Sequence, residues 1–160
     1  MQVVSDSAVP SARIATRADA EAVAQLLYDF NNEFGEPTPM PAVLAGRIDR
    51  LLQGGDTTVV LVGDGPDGMA VLRFRPAIWS DGLECHLAEL YVVPPRRRQG
   101  LGRALMEAAL TVARQRGADI MDIGVDEPDA AARRLYESLG FTNRVGGDDG
   151  PFMYVYEREL

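Results

Sequence analysis

"LECHLAELYVVPPRRRQGLGRAL", residues 83–105, decides how this chain is built. Its first half is β-rich, and a half-buried strand should alternate apolar and polar residues. Leu83, Cys85 and Leu87 keep to odd positions. Leu90 and Val92 then occupy even ones, and Glu89 falls where an apolar residue is due. In a regular strand Glu89 would share a face with Leu83 and Leu87, and an unpaired buried carboxylate is costly. Two arrangements avoid this. One extra residue near Ala88–Leu90 would form a bulge and flip the facing of everything after it. Otherwise the strand ends there and Glu89 reaches solvent.

The second half gathers positive charge. Arg96, Arg97, Arg98 and Arg103 lie within eight residues, and Gly100 and Gly102 stand where a helix should begin. A helix N-terminus exposes unpaired N–H groups and the positive end of the macrodipole, which attract phosphate. Glycine lets an anion approach the backbone with no Cβ in the way. The stretch therefore suits a polyanionic ligand, although the same residues would also make a solvated basic loop. It is not the lysine-bearing P-loop, nor the dinucleotide fingerprint, whose third glycine would replace Leu105.

Working outward, a short strand is expected near Arg13–Ala15, followed by a helix capped by Thr16 or Asp19. Its apolar positions Ala22, Val23, Leu26, Leu27 and Phe30 have helical spacing, and Gly35 and Pro37 end it. "PAVLAGRIDRLLQGG" reads as a second helix, with Pro41 in its first turn and Gly54-Gly55 after its last. "TTVVLVG" and "MAVLRFRP" are strands joined by the hairpin signal "DGPDG". After residue 100 come the helix "LGRALMEAALTVARQRG", the strand "ADIMDIGV", the helix "DAAARRLYESLG", and two strands, "FTNR" and "FMYVYEREL". The order is β-α-α-β-β-β-α-β-α-β-β, a mixed sheet with helices on its faces, α/β or α+β in class.

Composition narrows the function. The 160 residues suit a single domain, 1–160, with residues 1–10 expected as a flexible start. Apolar content of 46% and charged content of 25% are those of a soluble protein. No apolar run is long enough for a membrane helix, no signal peptide is evident, and one cysteine suits a reducing compartment, so the expected location is cytoplasmic. All 16 basic residues are arginine, and the net charge of -8 argues against nucleic acid as a partner. No His, Cys or carboxylate cluster has metal-ligand spacing, so no metal is expected.

Three ordered motifs give the chain a resemblance. "RRQGLG" matches the R/Q-x-x-G-x-G/A element of the GCN5-related N-acetyltransferase (GNAT) family through Arg97, Gly100 and Gly102. "AELYVVPP" resembles that family's fourth strand, which carries a bulge. "DAAARRLYESLGF" resembles its N-x-x-A-x-x-x-Y-x-x-x-G-F element through Ala132, Tyr136, Gly140 and Phe141, with Asp129 at the asparagine position. The similarity spans residues 13–158.

The resemblance implies a single-domain, mostly antiparallel sheet that opens between its fourth and fifth strands to admit acetyl-CoA. The pyrophosphate would meet the turn formed by Arg97, Arg98, Gln99, Gly100, Leu101, Gly102 and Arg103. Backbone groups of Tyr91, Val92 and Val93 would pair with the pantetheine arm. Tyr136 matches the family's general acid, while its place on an apolar helix face also suits a core tyrosine. Glu89 is the candidate general base, with His86 second. Asp129 suits a helix N-cap better than a cofactor contact. Cys85 lacks a partner for a covalent route, because adjacent strand residues face opposite ways.

The implied activity is acetyl-CoA-dependent N-acetyl transfer to a primary amine, directly, in a ternary complex. The alternative is a non-catalytic acyl-CoA sensor or scaffold. The acceptor, a cationic small molecule or a peptide amine, would meet the loops at 31–41, 76–82 and 145–151. Those loops carry Glu33, Glu36, Asp81, Asp148 and Asp149. The resemblance is also compatible with a homodimer.

Overall fold

A computed structural model describes residues 10–160, so the expected flexible start at residues 1–10 lies, but for Pro10, outside the described residues. The chain divides into two compact units, one ending at Asp122 and one covering Ile123–Leu160. The first holds strand β1 (Ala12–Ile14), a 3-10 turn at Arg17–Asp19, helices α1 (Ala20–Glu33) and α2 (Pro41–Gly54), strands β2 (Thr57–Val62), β3 (Gly68–Pro76) and β4 (Leu83–Val92), a 3-10 turn at Pro94–Arg96 and helix α3 (Leu101–Gln115). Strand β5 (Ala118–Ile123) closes it with all but its last residue, and α4 (Ala130–Ser138) is the helix of the second unit. The five strands form one sheet in the order β1-β2-β3-β4-β5, with β1 through β4 antiparallel. The mixed α/β class and mostly antiparallel sheet agree with expectation.

Every residue of β2, "TTVVLV", is buried, which requires cover on both faces of the sheet. On one face Val59, Leu61, Met69, Val71 and Tyr91 form a core with Val23 and Leu26 of α1 and Ile48 of α2. The opposite parity, including Val60, Val62, Leu72, Phe74, Cys85 and Leu87, is equally buried. That face packs under α3, whose Leu101, Leu105, Met106, Ala109 and Val112 are buried at helical spacing. At the start of α1, Asp19 accepts hydrogen bonds from the Thr16 N–H at 2.8 Å and from both arms of Arg13 at 2.8 and 2.7 Å.

The alternation conflict in β4 is relieved by a bulge. Val71 pairs with Glu89 but the next residue, Leu72, pairs with Leu87, so Ala88 is the extra residue. Leu87 therefore stays under α3, while Glu89 turns to the α1–α2 face with Val71.

The two last strands are a correction. Neither 141–144 nor 152–160 forms a strand, and the element order ends at α4. Only a single bridge joins Arg144 to Phe152, supported by Val145 N–H to Pro151 O at 3.0 Å and Met153 N–H to Asn143 O at 2.7 Å. An alternating apolar pattern becomes a strand only where a neighbouring backbone supplies a ladder. Beyond Met153 none does among the described residues, and Tyr154 and Tyr156 are exposed.

Candidate active site

The bulge gathers a polar group that β4 could not present if it were regular. In unbroken alternation His86 and Glu89 would face opposite sides of the sheet. With Ala88 looped out, both lie on the α1–α2 face, close enough for a charge on His86 to lower the Glu89 pKa. Burial of the half-exposed Glu89 acts more strongly in the other direction, so its pKa is raised overall. His86 Nδ1 lies 2.6 Å from Asp122 Oδ2 on β5, which orients the ring. Asp122 is absent from the sequence-based candidates. It is 36 residues from His86, and no local pattern announces the pairing.

The arginine turn sorts its charges. Arg96 binds Asp67 at 2.9 Å and the Gln99 side chain at 3.0 Å. Arg97 makes a two-pronged pair with Glu33 at the end of α1, both contacts at 2.7 Å, and its Nε donates to Val92 O at 2.9 Å. Its guanidinium also lies 5.7 Å from the centre of the Tyr91 ring, which stacks on Phe30 at 5.0 Å. Hydrogen bonding from Arg97 holds the Glu33 carboxyl below its ordinary pKa. Glu33, expected among the acidic groups open to a cationic acceptor, is thus committed to Arg97. What Arg97 offers an anion is chiefly its backbone.

Arg98 has φ +60° and no ion pair among the described residues. Gly100 follows at φ +81°, and a Cβ built there would meet nothing within 4 Å. The Ala104 N–H bonds Gly100 O at 3.0 Å, so the N–H groups of Leu101, Gly102 and Arg103 precede the first closed turn of α3. Leu101 is buried and anchors that turn, while the Arg103 head lies 3.9 Å from Glu107. Gln99 donates to Pro95 O at 3.3 Å. An open glycine, an arginine without an ion pair and the first turn of a helix fit a pyrophosphate chemically. Of the backbone groups expected to pair with pantetheine, the Val93 N–H is engaged with Asp67 O at 2.9 Å, and Val92 O with Arg97.

In the second unit, Asp129 Oδ1 accepts the Ala132 N–H at 3.0 Å, the N-cap geometry expected for it. Tyr136 is buried on α4, its ring 6.0 Å from that of Phe141 in an edge-on arrangement. Burial, helped by the charge of Asp129, pushes its phenol up to about 12. The Cys85 thiol is fully buried and pushed up to about 11, chiefly by burial.

Comparison with known proteins adds the following. Residues 20–141 match the Acetyltransferase (GNAT) family. A crystal structure of a candidate acetyltransferase from Arthrobacter sp. FB24 aligns with a TM-score of 0.87 at 49% identity, covering 96% of this chain and 97% of that one. The uncharacterized N-acetyltransferase YhfO of Bacillus subtilis (strain 168) is 25% identical over 136 residues, 84% of this chain and 91% of that protein. Mycothiol acetyltransferase of Thermobispora bispora is 50% identical over 66 residues, 39% of this chain. That match spans only 22% of the mycothiol enzyme's own length.

Proposed function

We propose that this chain, which belongs to the GNAT family of acetyltransferases, moves the acetyl group of acetyl-CoA to a primary amine while both substrates are bound together. The observation that carries the reading is the bulge at Ala88, which turns a half-buried carboxylate, Glu89, onto the face of His86. An alkylamine is mostly protonated at neutral pH, and only its free form attacks a carbonyl. A carboxylate whose pKa is raised by burial is a better proton acceptor than an ordinary one.

When bound, acetyl-CoA supplies an activated thioester. The N–H groups of Leu101, Gly102 and Arg103, with the Arg98 side chain and the open Gly100, would hold its pyrophosphate. Glu89, through water, would take the ammonium proton; the free amine nitrogen would then bond to the acetyl carbon and release its second proton to solvent. The carbon–sulfur bond breaks, and Tyr136 returns a proton to the departing sulfur. Its phenol, raised to about 12, is protonated at neutral pH and is a weaker acid than an ordinary phenol. A buried Cys85 thiol raised to about 11 makes an acyl-cysteine intermediate unfavourable, which supports direct transfer. The acceptor class is a small-molecule or peptide amine. The mycothiol match covers too little of that enzyme for its substrate to carry over.

Thiol release from acetyl-CoA, measured over a panel of primary amines, tests this. Amine-dependent release is expected. Thermal stabilisation by coenzyme A without release for any amine would replace the enzyme with a non-catalytic acyl-CoA binder.

A further inference from the structure

The α1–α2 face of the sheet also carries a row of polar groups. Thr57, Arg73 and His86 are successive neighbours across β2, β3 and β4 in the hydrogen-bonded register. They share the face of Val71, and therefore of Glu89. Glu89 pairs with Val71, two residues along β3 from Arg73, so it is the diagonal neighbour of Arg73 on that face. Diagonal neighbours in a sheet are roughly 7–8 Å apart, within reach of an arginine side chain.

Arg73 differs from the other arginines nearby. Arg75 is paired with Glu84, Arg96 with Asp67 and Arg97 with Glu33. Arg73 is exposed and has no ion pair among the described residues. It opens, with Asp56, Phe74, Arg75 and His86, onto a pocket of about 280 Å³. Asp56 is the carboxylate in this lining and makes no ion pair with Arg73, while the nearby Glu84 is held by Arg75 and Asp122 by His86. Thr57, beside Arg73 in the row, is 5% exposed, and its hydroxyl has no hydrogen-bond partner among the described residues. An exposed guanidinium that opens onto a pocket and holds no carboxylate of its own chain is suited to an anionic group of a ligand.

We infer that the acceptor is an amine that also carries a carboxylate, its nitrogen at Glu89 and its carboxylate on the Arg73 guanidinium. This rests on the acetyl-transfer reading and narrows it from amines in general to amino-acid-like or peptide-terminal ones. The planar fork of arginine matches a carboxylate through two parallel hydrogen bonds, which an ammonium cannot do. In a chain of net charge -8, an arginine with no ion pair, diagonal to the proposed base, selects against purely cationic amines.

The test uses matched acceptors: L-lysine with cadaverine and lysinamide, L-methionine with 3-(methylthio)propylamine, and L-phenylalanine with phenethylamine. In at least one set the acid should be the better substrate by kcat/KM. Arg73→Gln should then raise KM for that acid roughly ten- to hundredfold more than for its decarboxylated or amidated partner. Arg73→Lys should restore part of the difference. Decarboxylated or amidated amines that match the acids, or an Arg73→Gln effect equal on both, would overturn the assignment while leaving acetyl transfer intact. No turnover of any member, with coenzyme A still stabilising the fold, would overturn the acetyl-transfer reading and this inference with it.

Discussion

Gly100 offers a direct test of the phosphate cradle, because two substitutions there differ in charge and in almost nothing else. At φ +81° any L-residue is strained, but Asn and Asp tolerate this region better than most. A Cβ meets nothing within 4 Å, so neither Gly100→Asn nor Gly100→Asp clashes with its surroundings. Both should lose about 1 kcal/mol of stability and melt within a degree or two of each other. Their affinities for coenzyme A should differ. A carboxylate about 5 Å from one phosphate charge is repelled by about 0.8 kcal/mol in water-like surroundings and by about 3 kcal/mol at an effective dielectric constant near 20. The turn is exposed, which favours the lower end, while the pyrophosphate carries two charges, which raises it. Gly100→Asp should therefore bind coenzyme A roughly ten- to a hundredfold more weakly than Gly100→Asn. Calorimetric titration at low salt reads the gap, and about 0.5 M salt should narrow it, because the screening length then falls well below 10 Å. Equal affinity in two folded variants would remove the pyrophosphate from this turn.

Glu89→Gln should lower kcat/KM at pH 7 by roughly 10²–10⁴-fold, with partial recovery at higher pH or with an amine of lower pKa; unchanged kinetics would pass the base role to His86. The same substitution should raise Tm at neutral pH. Burial raises the Glu89 pKa, so the cost of its charge is present above the folded pKa and absent below about 4.3, where the gain should vanish. Tyr136→Phe keeps the ring against Phe141, and should lower kcat with little change in coenzyme A affinity; full activity with reduced Tm would make Tyr136 a packing residue. Asp19→Asn should cost about 1 kcal/mol by loosening the start of α1. Arg13 holds the Asp19 carboxyl well below its ordinary pKa, so its contribution is complete above about pH 4. The Tm difference between wild type and variant should therefore shrink on acidification, as the contribution is lost when pH falls through the folded pKa.

Much of the framework was legible in the sequence because it follows from interactions between near neighbours. Helical spacing placed α1, α2, α3 and α4, and glycines that can take positive φ marked where α2 ends at Gly55 and where α3 begins at Gly100. The broken alternation at Glu89 showed that β4 could not be regular, since period-two facing is a property of any strand. It could not choose between a bulge and a strand end. That choice depends on the opposite strand, where Val71 and Leu72 keep their pairing and oblige Ala88 to loop out. The partners of the site residues were equally out of reach. Arg97 meets Glu33 across 64 positions, and His86 meets Asp122 across 36, with no sequence period linking either pair. Arg73 looked like any surface arginine until the register set it beside His86 and diagonal to Glu89. The final segment errs the other way, because "FMYVYEREL" has the composition of a strand while strand formation needs hydrogen bonds from a second backbone. Local chemistry thus determined which segments could be helix, turn or extended chain. Only the folded sheet decided which extended segments pair, which way each side chain faces and which distant charges meet, because those depend on contacts made across space between residues far apart in the chain.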